Sequence, residues 1–304
     1  MLRYTLRQLE YALAALELGS VARASERLGV AQPTLSAAIA KLEDQIGLQL
    51  FIRHHAQGVS AAPQAREFFA EARNLVNHGR DIERMSQRSG TAISGRLSLG
   101  SFTTIASIHA PKLIAGFSAE HPEVTIRLEE SAQEELLDGL REGRHDVSLL
   151  YDVDLPDDIE ARPLARLTPH ILLPKPHPLA ARRKITLQAV AELPLVLLDV
   201  APSRTYFTRI LRDAGVTPHI AFSSPSLEVV RGLVGQGLGY SILITRPFGD
   251  HSYSGEPLAI VPIADKVEAG VIALGSLRSL RKTRLVSTFE DYCAGYFGDA
   301  RRRH

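Results

Sequence analysis

The stretch at residues 31–46, AQPTLSAAIAKLEDQI, has the pattern of a helix with one apolar face and one unusually short polar face. The apolar face recurs at helical spacing: Leu35, Ile39, Leu42 and Ile46. Pro33 suits the first helical position, because its missing N–H would be unpaired there in any case. The opposite face carries small or neutral side chains and one lysine: Gln32, Thr34, Ser36, Ala37, Ala38 and Lys41. Small side chains would let a helix lie deep among base edges in the major groove of DNA.

Two shorter helical patterns precede this stretch. The first has Leu6, Leu9, Leu13 and Leu16 on one face and ends at Gly19. Ser20 then caps the segment VARASERL, which ends at Gly29. Two helices joined by a short turn with glycine form a helix-turn-helix pattern. The alternative is an ordinary helical hairpin whose small-residue face packs on a neighbour.

The composition sets limits on the class of protein. A chain of 304 residues has room for about two domains, and 45% apolar with 23% charged residues is typical of folded proteins. The net charge of +1 means that any nucleic-acid surface must be a local patch. The single cysteine, Cys293, excludes an internal disulfide framework. With neither a signal-peptide pattern nor an apolar run of ~20 residues, we expect a soluble cytoplasmic protein that does not enter membranes.

After Gly95, short apolar runs alternate with helical patterns. This alternation predicts a mainly parallel α/β sheet, and the number of runs favours two lobes. The predicted strands are RLSLGS, VTIRLEE, DVSLLY, HILLP, LVLLDV, HIAFSS, GYSILI, LAIVPI and GVIALG.

The segment 19–53, GSVARASERLGVAQPTLSAAIAKLEDQIGLQLFIR, resembles the N-terminal module of LysR-type transcriptional regulators. The positions that match this family's pattern are Ser20, Ala24, Leu28, Val30, Gln32, Pro33, Leu35, Ser36, Ile39, Leu42, Glu43, Gly47, Leu50, Phe51 and Arg53. Ser25 replaces the usual second alanine, and Ala37-Ala38 replace the long side chains of many members. The wing, HHAQGVSAAP, lacks the usual arginine-rich turn, which leaves its contacts open.

The resemblance implies a sequence-specific regulator that binds double-stranded DNA. We expect polar contacts or methyl contacts with bases from the third helix, and phosphate contacts from Lys41, Arg53, His54 and His55. The predicted DNA-binding residues are Ser20, Gln32, Pro33, Thr34, Ser36, Ala37, Ala38, Lys41, Arg53 and His54.

The resemblance also implies the architecture of the whole chain. This is an α/β protein with an N-terminal all-α winged helix-turn-helix at 1–61 and a linker helix at 62–90. An effector domain at 91–304 would be similar to periplasmic binding proteins, with two α/β lobes. We place lobe one at 95–164 and 266–297 and lobe two at 165–265, with GTAISG (90–95) as the hinge before them.

The linker segment has a narrow apolar stripe that alternates steps of three and four residues, which is typical of a coiled-coil seam. The predicted dimerisation residues are Ala65, Phe68, Ala72, Leu75 and Ile82. A helix that packs on its own core is the alternative. The family implies a homodimer on an inverted-repeat operator, and pairing of dimers into a homotetramer.

Hydroxyl-rich segments stand at four predicted strand-to-helix steps of the effector half. Free N–H groups at such steps favour anions. The predicted effector-binding residues are Ser101, Phe102, Thr103, Thr104, Ser131, Tyr151, Asp199, Ser203, Arg204, Thr205, Ser224 and Thr245, with Arg246 as a further candidate. Simple helix capping is the alternative for Ser101, Ser131, Ser203 and Ser226. Arg204 could grip a carboxylate, so a small organic anion is the expected effector, and no cofactor or metal is expected.

The sequence does not contain the motifs of common enzyme classes: it has no Gly-x-Ser-x-Gly, no P-loop and no His-Glu-x-x-His. GQGLG at 235–239 follows a helical pattern and precedes a strand, so we interpret it as a turn. Cys293 fits a helix core better than a nucleophile. A transport-type solute-binding protein and an α/β enzyme with a helical extension are the competing hypotheses, and the helix-turn-helix disfavours both.

Overall fold

The computed structural model describes residues 3–54, 58–87 and 93–300. They form a helical N-terminal unit, one long helix and a two-lobed α/β region. Residues 90–92 of the predicted hinge lie outside the described residues. Within the described ranges, no helix combines the length and the apolar character that a membrane span requires.

The N-terminal unit is a three-helix core with a β-hairpin wing. Its elements are α1 (Leu6–Leu18), α2 (Val21–Leu28), α3 (Gln32–Ile46), β1 (Phe51–His54) and β2 (Gly58–Ala61). Leu35, Ile39 and Leu42 are buried in this core, as their spacing predicts. The start of α3 is one residue earlier than predicted, so Pro33 occupies its second position.

The wing is tied to α3 by a partly buried contact. The Oε1 atom of Glu43 accepts hydrogen bonds from the backbone N–H groups of Leu50 (2.8 Å) and Phe51 (3.2 Å). The two strands then pair antiparallel, from Phe51 opposite Ala61 to His54 opposite Gly58. The wing therefore starts at a fixed angle to the third helix.

The linker helix is α4 (Arg66–Gln87), and a short 3₁₀ turn at Pro63–Ala65 precedes it. Two of the five predicted seam residues are not available to a second chain. Ala65 and Ala72 are buried in the core of the chain's own N-terminal unit, together with Phe69 and Val76 on the same helix face. The remaining seam residues stand at seven-residue spacing. Leu75 (41% exposed) and Ile82 (67% exposed) face outward, whereas Phe68 is half-buried and packs partly against the same N-terminal core.

Lobe one is a five-stranded sheet flanked by three helices. Its elements are β3 (Gly95–Phe102), α5 (Thr103–Glu120), β4 (Val124–Ser131), α6 (Gln133–Arg141), β5 (Val147–Tyr151), β6 (Ile159–Leu167), β12 (Gly270–Leu277) and α9 (Arg284–Ala300). The strand order is β4-β3-β5-β12-β6. β3 is parallel to β4 and β5, whereas β12 is antiparallel to β5 and β6.

Lobe two has strands β7 (His170–Pro174), β8 (Leu195–Leu198), β9 (Ile220–Ser224), β10 (Ser241–Leu243) and β11 (Leu258–Pro262), with α7 (Ser203–Asp213) and α8 (Leu227–Gly235). β7 pairs antiparallel with β10 and β11, and β8 is parallel to β9. A parallel bridge between Leu195 and Tyr240 joins the two groups of strands. The sheets are thus mixed rather than mainly parallel.

The chain crosses between the lobes twice, after β6 and after β11. The predicted boundary between Leu164 and Ala165 falls inside β6, which stays in the lobe-one sheet to Leu167. β6 was not predicted, because Pro163 interrupts its pattern. The proline is tolerated because β6 is an edge strand, where a missing N–H leaves no ladder bond unmade.

Candidate DNA interface and effector cleft

The face of α3 opposite the core is open to solvent. Gln32, Pro33, Thr34, Ala37 and Lys41 are exposed, and Ser36 is half-buried. Ser36 also borders a groove of about 260 Å³ between α3 and the wing, with Phe51 and Arg53 on its other side. Ala40 is exposed on the same face and was not singled out from the sequence. The small-residue face is therefore not packed on another part of the described chain.

Two of the predicted DNA-binding residues have other roles in the structure. Ala38 is half-buried against the N-terminal core and its carbonyl accepts a hydrogen bond from the Gln8 side chain (3.4 Å), which removes it from the open face. Ser20 caps α2, because its side chain accepts a hydrogen bond from the N–H of Arg23 (3.3 Å). Ser20 is still half-exposed beside the start of α2.

The start of α3 has no side-chain cap, because its N-cap residue is Ala31. The N–H groups of the first helical turn are therefore available to an external acceptor. Helix N-termini attract phosphate through these groups and through the helix dipole. The exposed Gln32 and Thr34 border this helix start.

Cationic side chains flank the open face of α3. Lys41 and Arg53 are exposed, and no ion pair to either is present within residues 3–54, 58–87 and 93–300. His54 is exposed and its Nε2 atom lies 2.7 Å from the Oγ of Ser60 on the neighbouring strand. His55 lies outside the described residues. The exposed face of α3 thus combines small side chains with positive charges beside it. This combination suits the major groove of DNA, whose edges carry phosphates.

The predicted effector residues of lobe one lie at a common sheet edge. β3, β4 and β5 are parallel, so Phe102, Ser131 and Tyr151 all stand at carboxyl ends on the same side. β6 ends and β12 begins at this edge, since Leu167 pairs with Gly270. The lobe-one edge therefore borders both crossings into lobe two.

Lobe two presents a matching edge to the same crossings. β7 begins there, because His170 pairs with Leu243 and with Pro262. The carboxyl ends of β8, β9 and β10 lie on this side, which places Asp199, Ser224 and Thr245 at the edge. Both edges border the two crossings, and the region between them is hereafter called the cleft.

Several predicted effector residues of lobe one are buried and already bonded within the chain. Ser101 and Phe102 are fully buried; the Ser101 hydroxyl donates to the Phe102 carbonyl (3.4 Å), and the Phe102 ring packs on Tyr151 at 5.2 Å between centroids. The hydroxyls of Thr104 and Tyr151 are 3.0 Å apart, and burial raises the pKa of Tyr151. These four residues form the floor of lobe one rather than an accessible binding surface.

Thr103 differs from its neighbours. It is half-buried at the start of α5, and its hydroxyl oxygen is buried with no hydrogen-bond partner within the described chain. Ser131 is half-buried and donates to the Glu135 carboxylate instead of capping α6. Of the lobe-one candidates, Thr103 thus retains an unused polar group at the cleft edge.

In lobe two the predicted arginine is already paired. Arg204 is exposed and its Nη1 lies 3.1 Å from the Oδ1 of Asp199. Ser203 is buried at the start of α7, whereas Thr205 is exposed. Ser224 accepts a hydrogen bond from the N–H of Ser226 (3.2 Å), and Ser226 caps α8, in agreement with the capping alternative.

Three residues at the cleft edge were missed or undervalued. Gln133 is buried, and its side chain links α6 to the end of β5 and the loop after it. Its Oε1 accepts a hydrogen bond from the Tyr151 N–H (3.0 Å), and its Nε2 donates one to the Val153 carbonyl (3.2 Å). His170 is buried with its Nε2 unpartnered in the described chain, and burial, with the charges of Arg246 and Arg231, lowers its pKa to about 4. Arg246 is exposed, and no ion pair to it occurs in the described parts of the chain. The sequence signal for these three residues was a polar side chain close to the end or the start of a predicted strand.

The comparisons with known families cover both halves of the chain. Residues 6–66 match the family described as bacterial regulatory helix-turn-helix protein, lysR family. Residues 90–298 match the LysR substrate binding domain.

Individual proteins match along most of the chain. HinK, a LysR family transcriptional regulator from Pseudomonas aeruginosa, has a crystal structure that is 41% identical over 97% of this chain and 99% of its own, with a TM-score of 0.67. A full-length OxyR variant from the same organism is 26% identical over 96% of this chain and 98% of its own, with a TM-score of 0.78. A probable hydrogen peroxide-inducible genes activator from Mycobacterium leprae is 31% identical over 76% of this chain and 75% of its own. The open face of α3, the two-lobed cleft and these matches together show that the chain belongs to the LysR family of DNA-binding transcriptional regulators, which are not enzymes.

Proposed function

We propose that the chain is an effector-responsive regulator that binds an inverted-repeat operator as a homodimer, or as a dimer of dimers. The observation that carries this proposal is the solvent-open, short-chained face of α3 around Thr34, Ser36 and Ala37. Two such faces related by a twofold axis read two half-sites of opposite orientation. In this proposal Lys41, Arg53 and the uncapped start of α3 contact phosphates.

The outward row of α4 supports self-association. Phe68, Leu75 and Ile82 are spaced by seven residues, and Leu75 and Ile82 are exposed in the single chain. A helix that supercoils with a partner repeats its contacts every seven residues. Ala65 and Ala72, on the buried side of the same stripe, pack in the chain's own core. In this proposal one side of the stripe therefore stabilises the N-terminal unit, and the other side contacts the second chain.

We further propose that the effector is a small organic anion held between the lobes. Arg204 is neutralised by Asp199, whereas Arg246 is an exposed guanidinium at the cleft edge without an ion pair in the described chain. The unused hydroxyl of Thr103 stands at the start of the 18-residue helix α5, whose dipole favours negative charge. An arginine and a helix start are both suited to a carboxylate.

Carboxylates matched with their neutral amides test the charge of the effector. We expect at least one acid in a panel of benzoate, succinate and related acids to raise the melting temperature of the full chain by about 5 °C at a hundredfold excess over its Kd, whereas its amide does not. Arg246→Gln should abolish the shift, and the control Arg212→Gln on the outer surface should keep it. Equal shifts with the amides, no shift with any acid, or an unchanged shift in Arg246→Gln would contradict the proposal.

A peroxide-sensing function is not favoured, although two relatives are named for induction by hydrogen peroxide. The thiolate is the reactive form of cysteine. Cys293 is buried, and burial raises the pKa of its thiol. The chain has one cysteine, so an intramolecular disulfide cannot form within it.

A further inference from the structure

The linker helix makes a close contact with lobe one of its own chain. α6 ends at Arg141, and the next turn places Gly143 against the backbone of α4. Gly143 has a φ of +65°, and a Cβ atom built on it would lie 3.0 Å from the Cα of Ala70 and 3.4 Å from the Cδ of Arg73. Ala70 is itself buried. Only glycine meets both demands at this point, the left-handed conformation and the close approach.

Charged side chains flank the contact on both sides. The Nε of Arg66 lies 3.6 Å from the Oε1 of Glu142, next to Gly143. Arg73, which lines the other side of the turn, makes a 2.7 Å ion pair with Glu17 of α1. Burial alone would raise the pKa of Glu17, but the guanidinium groups of Arg73 and Arg27 outweigh it and hold that pKa below its usual value. The turn therefore contacts a part of α4 that is firmly attached to the winged helix-turn-helix.

The other end of α6 forms part of the cleft wall. Gln133, the first residue of α6, is buried and holds the backbone of β5 and of the following loop through its two side-chain bonds. α6 has nine residues, so its two ends are about 13 Å apart. Gly139 packs closely against the buried ring of His145 in the α6–β5 connection, because a Cβ atom on Gly139 would lie 2.4 Å from Nδ1. Such a short, tightly packed helix moves as one body.

We propose that the turn Glu142–Gly143 is a docking surface for the linker helix, and that α6 couples the cleft to it. The proposal rests on the proposed function, because it assumes a ligand in the cleft and DNA on α3. A ligand that displaces the Gln133 end of α6 moves Gly143 against Ala70 and Arg73. The angle between α4 and lobe one then changes, and with it the spacing of the two recognition helices in a dimer. Coupling of this kind requires that ligand binding in the cleft and DNA binding at α3 both shift the position of one structural element, here α6.

The test uses the full chain and the duplex that the wild-type chain selects from a random-sequence library, hereafter the selected duplex. Gln133→Ala loosens the cleft end of α6 without any effector. We expect it to change the affinity for the selected duplex by about fivefold or more in the wild-type background. In the Gly143→Ala background, where the docking surface is pushed off α4, the same substitution should change the affinity less than twofold. Independent sites would give equal effects in both backgrounds.

Gly215→Ala is the matched control for the backbone. Gly215 also has a positive φ (+72°), but nothing lies within 4 Å of a Cβ built there, so Gln133→Ala should keep its full effect in that background. If Gly143→Ala fails to fold, Arg66→Glu takes its place: it sets a carboxylate against Glu142 at the docking turn and should reduce the effect of Gln133→Ala, and an unchanged effect would overturn the coupling.

Equal effects of Gln133→Ala with and without Gly143→Ala, or no effect in either background, would overturn the coupling while DNA binding persists. If the wild-type chain selects no duplex, the proposed function itself is overturned.

Discussion

Ala37→Glu is expected to lower the affinity for the selected duplex by at least about 100-fold, a loss of about 2.7 kcal/mol of binding free energy. Ala37 is exposed at the centre of the open face of α3, where its methyl group leaves the helix free to approach base edges. A glutamate there adds a longer side chain that must fit between α3 and the bases, and an anion that faces two rows of phosphates. Fluorescence anisotropy with labelled selected duplex measures the effect.

Ala115→Glu is the control for this substitution. Ala115 is an exposed alanine inside α5 of lobe one, so the same change of side chain occurs on a helix surface away from α3. We expect near wild-type affinity for this variant and unchanged thermal stability for both. A loss of less than tenfold in Ala37→Glu, with the fold intact, would mean that α3 does not face the DNA.

The second large effect is expected at the wing. Gly58 has a φ of +93°, and a Cβ on it would lie 2.0 Å from the carbonyl oxygen of Gly19. That oxygen accepts the hydrogen bond of the Val59 N–H (2.9 Å), which ties the wing to the α1–α2 connection. The methyl group of Gly58→Ala would push the wing backbone away from the backbone of Gly19. We therefore expect the free energy of unfolding to fall by about 3 kcal/mol, from conformational strain and overpacking together.

Amide hydrogen exchange in α1 and α3 of the full chain measures this loss locally, with the lobe-one sheet as an internal reference. Gly47→Ala is the matched control. Gly47 ends α3 with a φ of +67°, but nothing lies within 4 Å of a Cβ atom placed on it, so its cost should be the strain alone, about 1 kcal/mol. Equal losses at Gly47 and Gly58 would contradict the packing of the wing on the α1–α2 connection.

The N-terminal unit was predictable because local signals agree there. Gly19, Gly29 and Gly47 each end a helix in the left-handed conformation, and the apolar spacing of α3 matches its buried face. Ala38 was misplaced because a helix has more than two faces: its side is turned toward α1, which the spacing within α3 does not reveal.

The linker helix shows why one apolar stripe can mislead. The three-and-four spacing of Ala65, Phe68, Ala72 and Leu75 is that of a coiled coil, yet Ala65 and Ala72 pack inside the chain's own core. The spacing of apolar residues alone does not show whether a helix packs on a partner helix or on the preceding domain of its own chain. The burial of Phe69 and Val76, four residues along from Ala65 and Ala72, widens the stripe enough for both surfaces.

Effector binding by the predicted residues stays a prediction, whereas their placement at strand ends can be compared with the fold. The strand ends that carry the candidates lie on one edge of each lobe, because parallel strands share an edge. Whether a polar group at such a step is free depends on its partners in the fold: Tyr151 bonds Thr104, 47 residues away in the sequence, and Asp199 pairs with Arg204 on the next helix. β6 was missed because Pro163 is compatible with a strand only at a sheet edge, and edge position is a property of the whole topology.

Methylation interference on the selected duplex tests most directly whether α3 lies in the major groove. Methylation at guanine N7 blocks the major groove, whereas methylation at adenine N3 blocks the minor groove. We predict that N7 methylation at two inverted half-sites, one helical turn or a multiple of it apart, abolishes binding of the full chain. Interference confined to adenine N3, or to one half-site, would contradict the placement of Thr34, Ser36 and Ala37 against bases in a symmetric dimer.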